Sequence, residues 1–267
     1  MSLLRQAVLS ADGVWIHYDT IGTGKPCLVM VHGWTCHHGY WKLQRKHFSK
    51  QYQVVTIDMA GHGRSGANRS EWTVSAFGAD IVTVIERLGL DEVILIGHSM
   101  GGRWIVEAAR RLHGRVIGLV SLDTWADIGN ALSPDQVSIK LAPFHDNFAE
   151  AVRAFVSSMF VPTSDPNLVM KIMASICHTP SDIAIRVAES GWSSDIRLQQ
   201  GLDELMVPKI AINSAWRPTD MRAARHYDIE TELMPDVGHF MMLEDPATFN
   251  CLLEKAIETC ISKKSTN

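Results

Sequence analysis

Glu92-Val93-Ile94-Leu95-Ile96-Gly97-His98-Ser99-Met100-Gly101-Gly102 is the stretch on which the reading of this chain turns. Residues 92–96 (EVILI) form a short, nearly unbroken aliphatic run, as expected of a strand buried on both faces of a sheet. Residues 101–112 repeat apolar side chains at helical spacing, so a helix follows directly. The turn between them is tight enough to demand small neighbours, which explains Gly97 and Gly101 on either side of His98-Ser99-Met100. Such a turn lifts the Ser99 hydroxyl clear of the backbone at the start of the helix, where the partial positive charge favours a developing anion. Ser99 is therefore a candidate nucleophile.

The same pattern continues outward. Residues 27–31 (CLVMV), 53–57 (QVVTI), 116–122 (VIGLVSL) and 209–213 (KIAIN) are further short apolar runs, and residues 74–88 carry helical period. Strands alternating with helices predict an α/β fold with a mostly parallel sheet covered on both faces. Residues 7–18 hold an Asp-Gly pair between two apolar runs and predict a hairpin at the start of the sheet. The alternation stops between Asp127 and Leu205, where Asp, Pro and Ser punctuate helical patches at 147–159 and 167–176. Residues 127–205 thus read as an insertion of helices, rich in Met and aromatic residues that mostly form its own core.

Bulk properties narrow the function classes. A chain of 267 residues with 46% hydrophobic residues is long enough for one large domain with an insertion. A net charge of −4 without runs of like charge gives no electrostatic reason to bind nucleic acid or an anionic membrane, so a small uncharged ligand is expected. Five scattered cysteines without C-x-x-C spacing fit reduced thiols and a cytoplasmic protein, not a disulfide framework or structural zinc. No stretch reaches the roughly 18 apolar residues of a membrane span, and the first dozen residues lack the apolar core of a secretory signal.

A serine hydroxyl needs a base, itself held by a third group. Val237-Gly238-His239-Phe240 precedes a final helical segment at 245–261 and offers His239 as that base, late in the chain and after Ser99. Four motifs now stand in order: His32-Gly33-Trp34, Asp58-Met59-Ala60-Gly61-His62-Gly63-Arg64-Ser65, Gly97-His98-Ser99-Met100-Gly101-Gly102 and Val237-Gly238-His239-Phe240. Through them the chain resembles the α/β-hydrolase superfamily over nearly its whole length. The resemblance implies an eight-stranded sheet, a helical cap inserted after the sixth strand, and a triad of nucleophile, acid and histidine. It also implies an oxyanion hole built from the backbone N–H groups of Trp34 and Met100. On this reading residues 1–126 and 206–267 form the core domain, and 127–205 the cap. His32 and Asp58 are expected to shape turns. No Asp, Glu or Cys pair stands at suitable spacing beside His37 and His38, so no metal site is expected.

The acid is where the sequence departs from the family. Its usual place, after the seventh strand, holds Ser214-Ala215-Trp216-Arg217-Pro218, and a cation at Arg217 would oppose the charge that His239 gains. Asp220 follows, but Pro218-Thr219-Asp220 reads as the start of a helix. Asp123, in Ser121-Leu122-Asp123-Thr124-Trp125, ends the sixth strand, a position that some members use. The reading favours Asp123, with Asp220 as the alternative.

Trp125, Met159, Phe160 and Trp192 are expected to line an apolar pocket under the cap. The expected function is hydrolysis of a small hydrophobic carboxylic ester or lactone through an acyl-enzyme, without cofactor or metal. The alternatives are a cofactor-free dioxygenase of hydroxyquinolone-like rings, a carbon–carbon bond hydrolase, or a ligand-binding signalling protein on the same fold. Monomer and dimer both stay open.

Overall fold

The Asp12-Gly13 pair turns the chain between β1 (Leu4–Leu9) and β2 (Trp15–Ile21), which run antiparallel with Leu9 opposite Trp15. Gly13 takes the left-handed backbone conformation (φ 84°) that the turn requires. Six more strands follow: β3 (Cys27–Val31), β4 (Val54–Ile57), β5 (Val93–His98), β6 (Val116–Leu122), β7 (Lys209–Ser214) and β8 (Ile229–Met234). In this computed structural model, which describes residues 3–193 and 195–264, all eight form one sheet in the order β1-β2-β4-β3-β5-β6-β7-β8. β2 meets β4 antiparallel, and every pairing from β4 across to β8 is parallel.

Every residue of β3, β5, β6 and β7 is buried, which is why these strands read as unbroken apolar runs. β8 gave no such signal. It is an edge strand that buries Ile229 and Met234 but leaves Glu230, Glu232 and Leu233 exposed.

The helices are α1 (Lys42–Phe48), α2 (Val74–Arg87), α3 (Gly101–Ala109), α4 (Pro134–Asp146), α5 (Phe148–Ser157), α6 (Pro166–Ile176), α7 (Ser181–Trp192), α8 (Asp195–Glu204), α9 (Met221–His226), α10 (Met241–Glu244) and α11 (Pro246–Lys264). Five of them, α4 to α8, lie between β6 and β7. Their starts carry the punctuation seen in the sequence. Ser133 and Gln136 form a reciprocal capping box at α4, Asn147 caps α5, and Asp165 caps α6. α8 packs on α3 through Gly201, where a Cβ would stand 2.5 Å from Val106. No helix among the described residues is long and apolar enough to cross a membrane.

The parallel order reverses between β3 and β5: β3 continues to β4 on one side, while β5 continues to β6 on the other. A crevice forms at such a switch point beyond the carboxyl ends of the strands. Trp34 follows β3, Ser99 follows β5 and Asp123 follows β6 there, while His239 follows β8.

Candidate active site

The turn at Ser99 is as tight as its glycines imply. A Cβ on Gly97 would stand 2.6 Å from the Gly101 carbonyl, and one on Gly101 would stand 2.5 Å from the oxygen of His32. Ser99 itself has φ 53°, in the left-handed region that a non-glycine residue rarely occupies. Its backbone is fixed on both sides: its N–H donates to Leu122 O at 2.8 Å, and its carbonyl accepts Thr124 Oγ1 at 2.5 Å.

Asp123 and His239 meet across β6 and the loop after β8. Nδ1 of His239 lies 2.6 Å from Oδ2 of Asp123, and both side chains are buried. A carboxylate accepts, so the ring proton sits on Nδ1 and leaves Nε2 free to take another. The second oxygen of Asp123 accepts the Ser214 N–H at 3.0 Å. Burial raises the Asp123 pKa, but the bond and charge of His239 and the Ser214 N–H outweigh it and hold the group below the usual carboxylate range. Asp220 is occupied elsewhere. Its Oδ1 accepts the N–H groups of Arg222 and Ala223, both at 3.0 Å, as the N-cap of α9. Arg217 is exposed and donates to Ser158 O at 2.9 Å.

The loop that carries His239 is pinned atom by atom. The His239 N–H donates to Met159 O at 2.8 Å, and the His239 carbonyl accepts Nε2 of His98 at 2.9 Å. Glu244 accepts the N–H groups of Gly238 and Phe240, each at 3.1 Å, and the Ser164 hydroxyl at 2.6 Å. Gly238 has no alternative, because a Cβ there would stand 2.2 Å from Met159 O. Glu244 was not singled out in the sequence; only its place five residues after His239 marks it.

Ser99 and His239 line one cavity, in which the centre of a water molecule has about 40 Å³ to move. Met159 and Trp192 line it as expected, together with Trp34 and Met100. Trp125 and Phe160, also expected there, do not. Trp125 is 1% exposed in the turn after β6, and Phe160 lies one layer behind, stacked on Phe240 at 5.3 Å. Their places are taken by Phe155 and Val156, which share one face of α5 and its end with Met159, and by Cys36, Ile176 and Phe240. Trp34, Phe144, Phe155 and Trp192 pack edge to face with centroids 5.7 to 6.0 Å apart, and Trp34 donates Nε1 to Ala184 O at 2.7 Å. Among the described residues, the backbone N–H groups of Trp34 and Met100 donate to no protein acceptor.

His32 is a turn residue. Nε2 accepts the Met59 N–H at 3.0 Å, so Nδ1 carries the proton that is shared with Gly33 O at 2.8 Å, and burial holds its pKa at about 3. The fold does bring a carboxylate to His37 and His38, which the spacing did not foresee: ligand atoms of both and of Asp58 lie within 4.8 Å of one another. Asp58 is already served by His38 N and Nδ1 at 2.8 and 2.9 Å and by Arg64 Nε at 3.0 Å. A guanidinium in that position opposes a metal cation, and the donors form a partly buried ion cluster with Asp19 and Arg45.

A parallel sheet with its switch point at a strained serine turn, and a carboxylate-held histidine facing the same cavity, define the α/β-hydrolase class of fold. The sequence profile of the α/β hydrolase family matches residues 28–250, and the chain belongs to that family. It is 22% identical to 3-oxoadipate enol-lactonase 2 of Acinetobacter baylyi, covering 94% of this chain and 96% of the other. It is also 34% identical to a putative non-heme haloperoxidase of Mycobacterium phage D29, but over 45% of this chain and 44% of that one. That shared region spans less than half the length of either protein. Among solved structures, an esterase from Exiguobacterium antarcticum superposes with a TM-score of 0.84 at 21% identity, covering 96% of this chain and all of its own.

Proposed function

We propose that the protein is a serine hydrolase of small, largely apolar carboxylic esters or lactones. The observation that carries this reading is the 2.6 Å contact between His239 and Asp123 beside a serine in a left-handed turn that shares the cavity. In the proposed cycle Ser99 Oγ attacks the substrate carbonyl while His239 Nε2 takes its proton, and Asp123 stabilises the imidazolium. The oxyanion faces the N–H groups of Trp34 and Met100, whose lack of protein acceptors suits that role; each such donor is worth about 3 kcal/mol. His239 then protonates the leaving alkoxide, and a water that it activates releases the acyl group. Residues 127–205 serve as the cap, and their apolar lining favours hydrophobic acyl groups.

The similarities to an enol-lactonase and an esterase support the substrate class. The test is an ester and lactone panel on wild type beside Ser99→Ala. Turnover in wild type that falls by roughly 10³ to 10⁶ in the variant supports the reading. Oxygen consumption on a hydroxyquinolone-like substrate that survives Ser99→Ala would replace it with the dioxygenase.

A further inference from the structure

Beside the cavity lies a second, open groove of about 690 Å³ by the same measure. Cys36 lines both, His37 faces the groove, and in α6 Ser175 faces the groove while its neighbour Ile176 faces the cavity. The two spaces differ in chemistry. Apart from His98, Ser99 and His239, the cavity lining is apolar with one thiol, whereas the groove carries Lys171, His37 and His178 and no carboxylate among the described residues that line it. Asp58 lies nearby, but its charge is taken up by His38 and Arg64.

Lys171 and His37 offer donors to the groove. Nδ1 of His37 accepts the Gly39 N–H at 3.0 Å, so its ring proton sits on Nε2 and a donor is present even in the neutral form. Nδ1 of His178 donates to Ala174 O at 2.7 Å, so this ring donates from Nε2 only as an imidazolium. Lys171 is exposed in α6, with a mobile ammonium suited to a carboxylate.

We infer that the substrate is amphipathic: an ester or lactone whose scissile carbonyl and apolar part occupy the Ser99 cavity while an anionic group, a carboxylate above all, is held in the groove by Lys171 and His37, joined by His178 as an imidazolium. This rests on the serine-hydrolase reading for its chemistry and sharpens its substrate class. The small net charge of the whole chain led to the expectation of an uncharged ligand, but net charge says nothing about one groove's lining.

The test compares charged and neutral partners on one skeleton. Phenyl hydrogen glutarate is set against phenyl methyl glutarate, and para-carboxyphenyl butanoate against its methyl ester, placing the charge on the acyl and alcohol sides in turn. One exposed ion pair gives up to about fivefold, so two acting together predict an anionic-to-neutral ratio of kcat/KM of about ten in one pair. The ratio falls towards one in the Lys171→Gln, His178→Gln double variant and inverts in Lys171→Glu. A wild-type ratio at or below one in both pairs, or one that the variants leave unchanged, overturns the inference. If wild type cleaves none of the four esters, the serine-hydrolase reading fails separately. The groove is then judged by glutarate alone: saturable shifts of the His37 ring signals in wild type that vanish in the double variant support it, and their absence overturns it.

Discussion

The carboxylate of Glu244 accepts the N–H groups on either side of His239, those of Gly238 and Phe240, and so fixes the direction of the imidazole from outside the site. Its third bond, from the Ser164 hydroxyl, ties the same loop to the segment between α5 and α6. Glu244→Ala is expected to lower kcat by about ten- to a hundredfold with little change in KM, since a displacement near 1 Å costs rate more than binding. Glu244→Gln keeps an acceptor oxygen and is expected to recover most of the loss. Equal kcat in both variants, or an effect confined to KM, would remove Glu244 from this role.

Asp123 and Asp220 were the two candidate acids, and the geometry divides them: one holds His239 at 2.6 Å and the other caps α9. Asp123→Asn should reduce kcat by roughly 10⁴-fold, because an amide does not hold the Nδ1–H tautomer. Asp220→Asn should leave turnover within about threefold and cost only a few tenths of a kcal/mol, since Asn caps a helix about as well as Asp. Steady-state kinetics on a single ester decide between them, and the reverse order would overturn the assignment.

Acid sensitivity follows from three buried histidines. Burial lowers the pKa of His32 and His98 to about 3 and of His62 to about 4, from a usual 6.5. The unfolded chain therefore binds more protons than the folded one at any pH between those limits. Their contribution to stability is complete above pH 6.5 and is lost as pH falls towards the folded values. Each histidine weakens the folding equilibrium up to about tenfold per pH unit in that window. Urea unfolding at pH 7.5, 6.0 and 5.0 should show a midpoint that falls steeply on the acid side; a flat midpoint would mean that these rings accept protons in place.

How much of this was legible in the sequence depended on where each residue's partners lie. β3 and β6 were bounded correctly because both faces are buried and every residue is apolar or small. β8 escaped because an edge strand with Glu230, Glu232 and Leu233 exposed has no apolar run. The neighbours Asp123 and His239 were found by chain order and by the misfit of Arg217. Trp125 and Phe160 were misplaced because rotation of a turn or helix end decides whether an aromatic faces a cavity or the layer behind it, and periodicity does not fix that rotation. Asp58 beside His38 is a contact across 20 residues, set by the sheet and invisible to local spacing.

Ser99 stands at φ 53° and Asp123 at φ 50°, and Asp accepts that region more readily than Ser does. The proposed nucleophile is thus a residue that its own position disfavours, and the surrounding scaffold would fold more comfortably without it. Ser99→Gly should be more resistant to denaturant than Ser99→Ala by about 1 kcal/mol, because only glycine occupies that conformation freely. Equal midpoints for the two would show a relaxed turn. Otherwise, selecting this protein for endurance alone would steer it towards a hardy, inert descendant with glycine at position 99, so any search for heat-resistant forms needs a turnover assay running beside it.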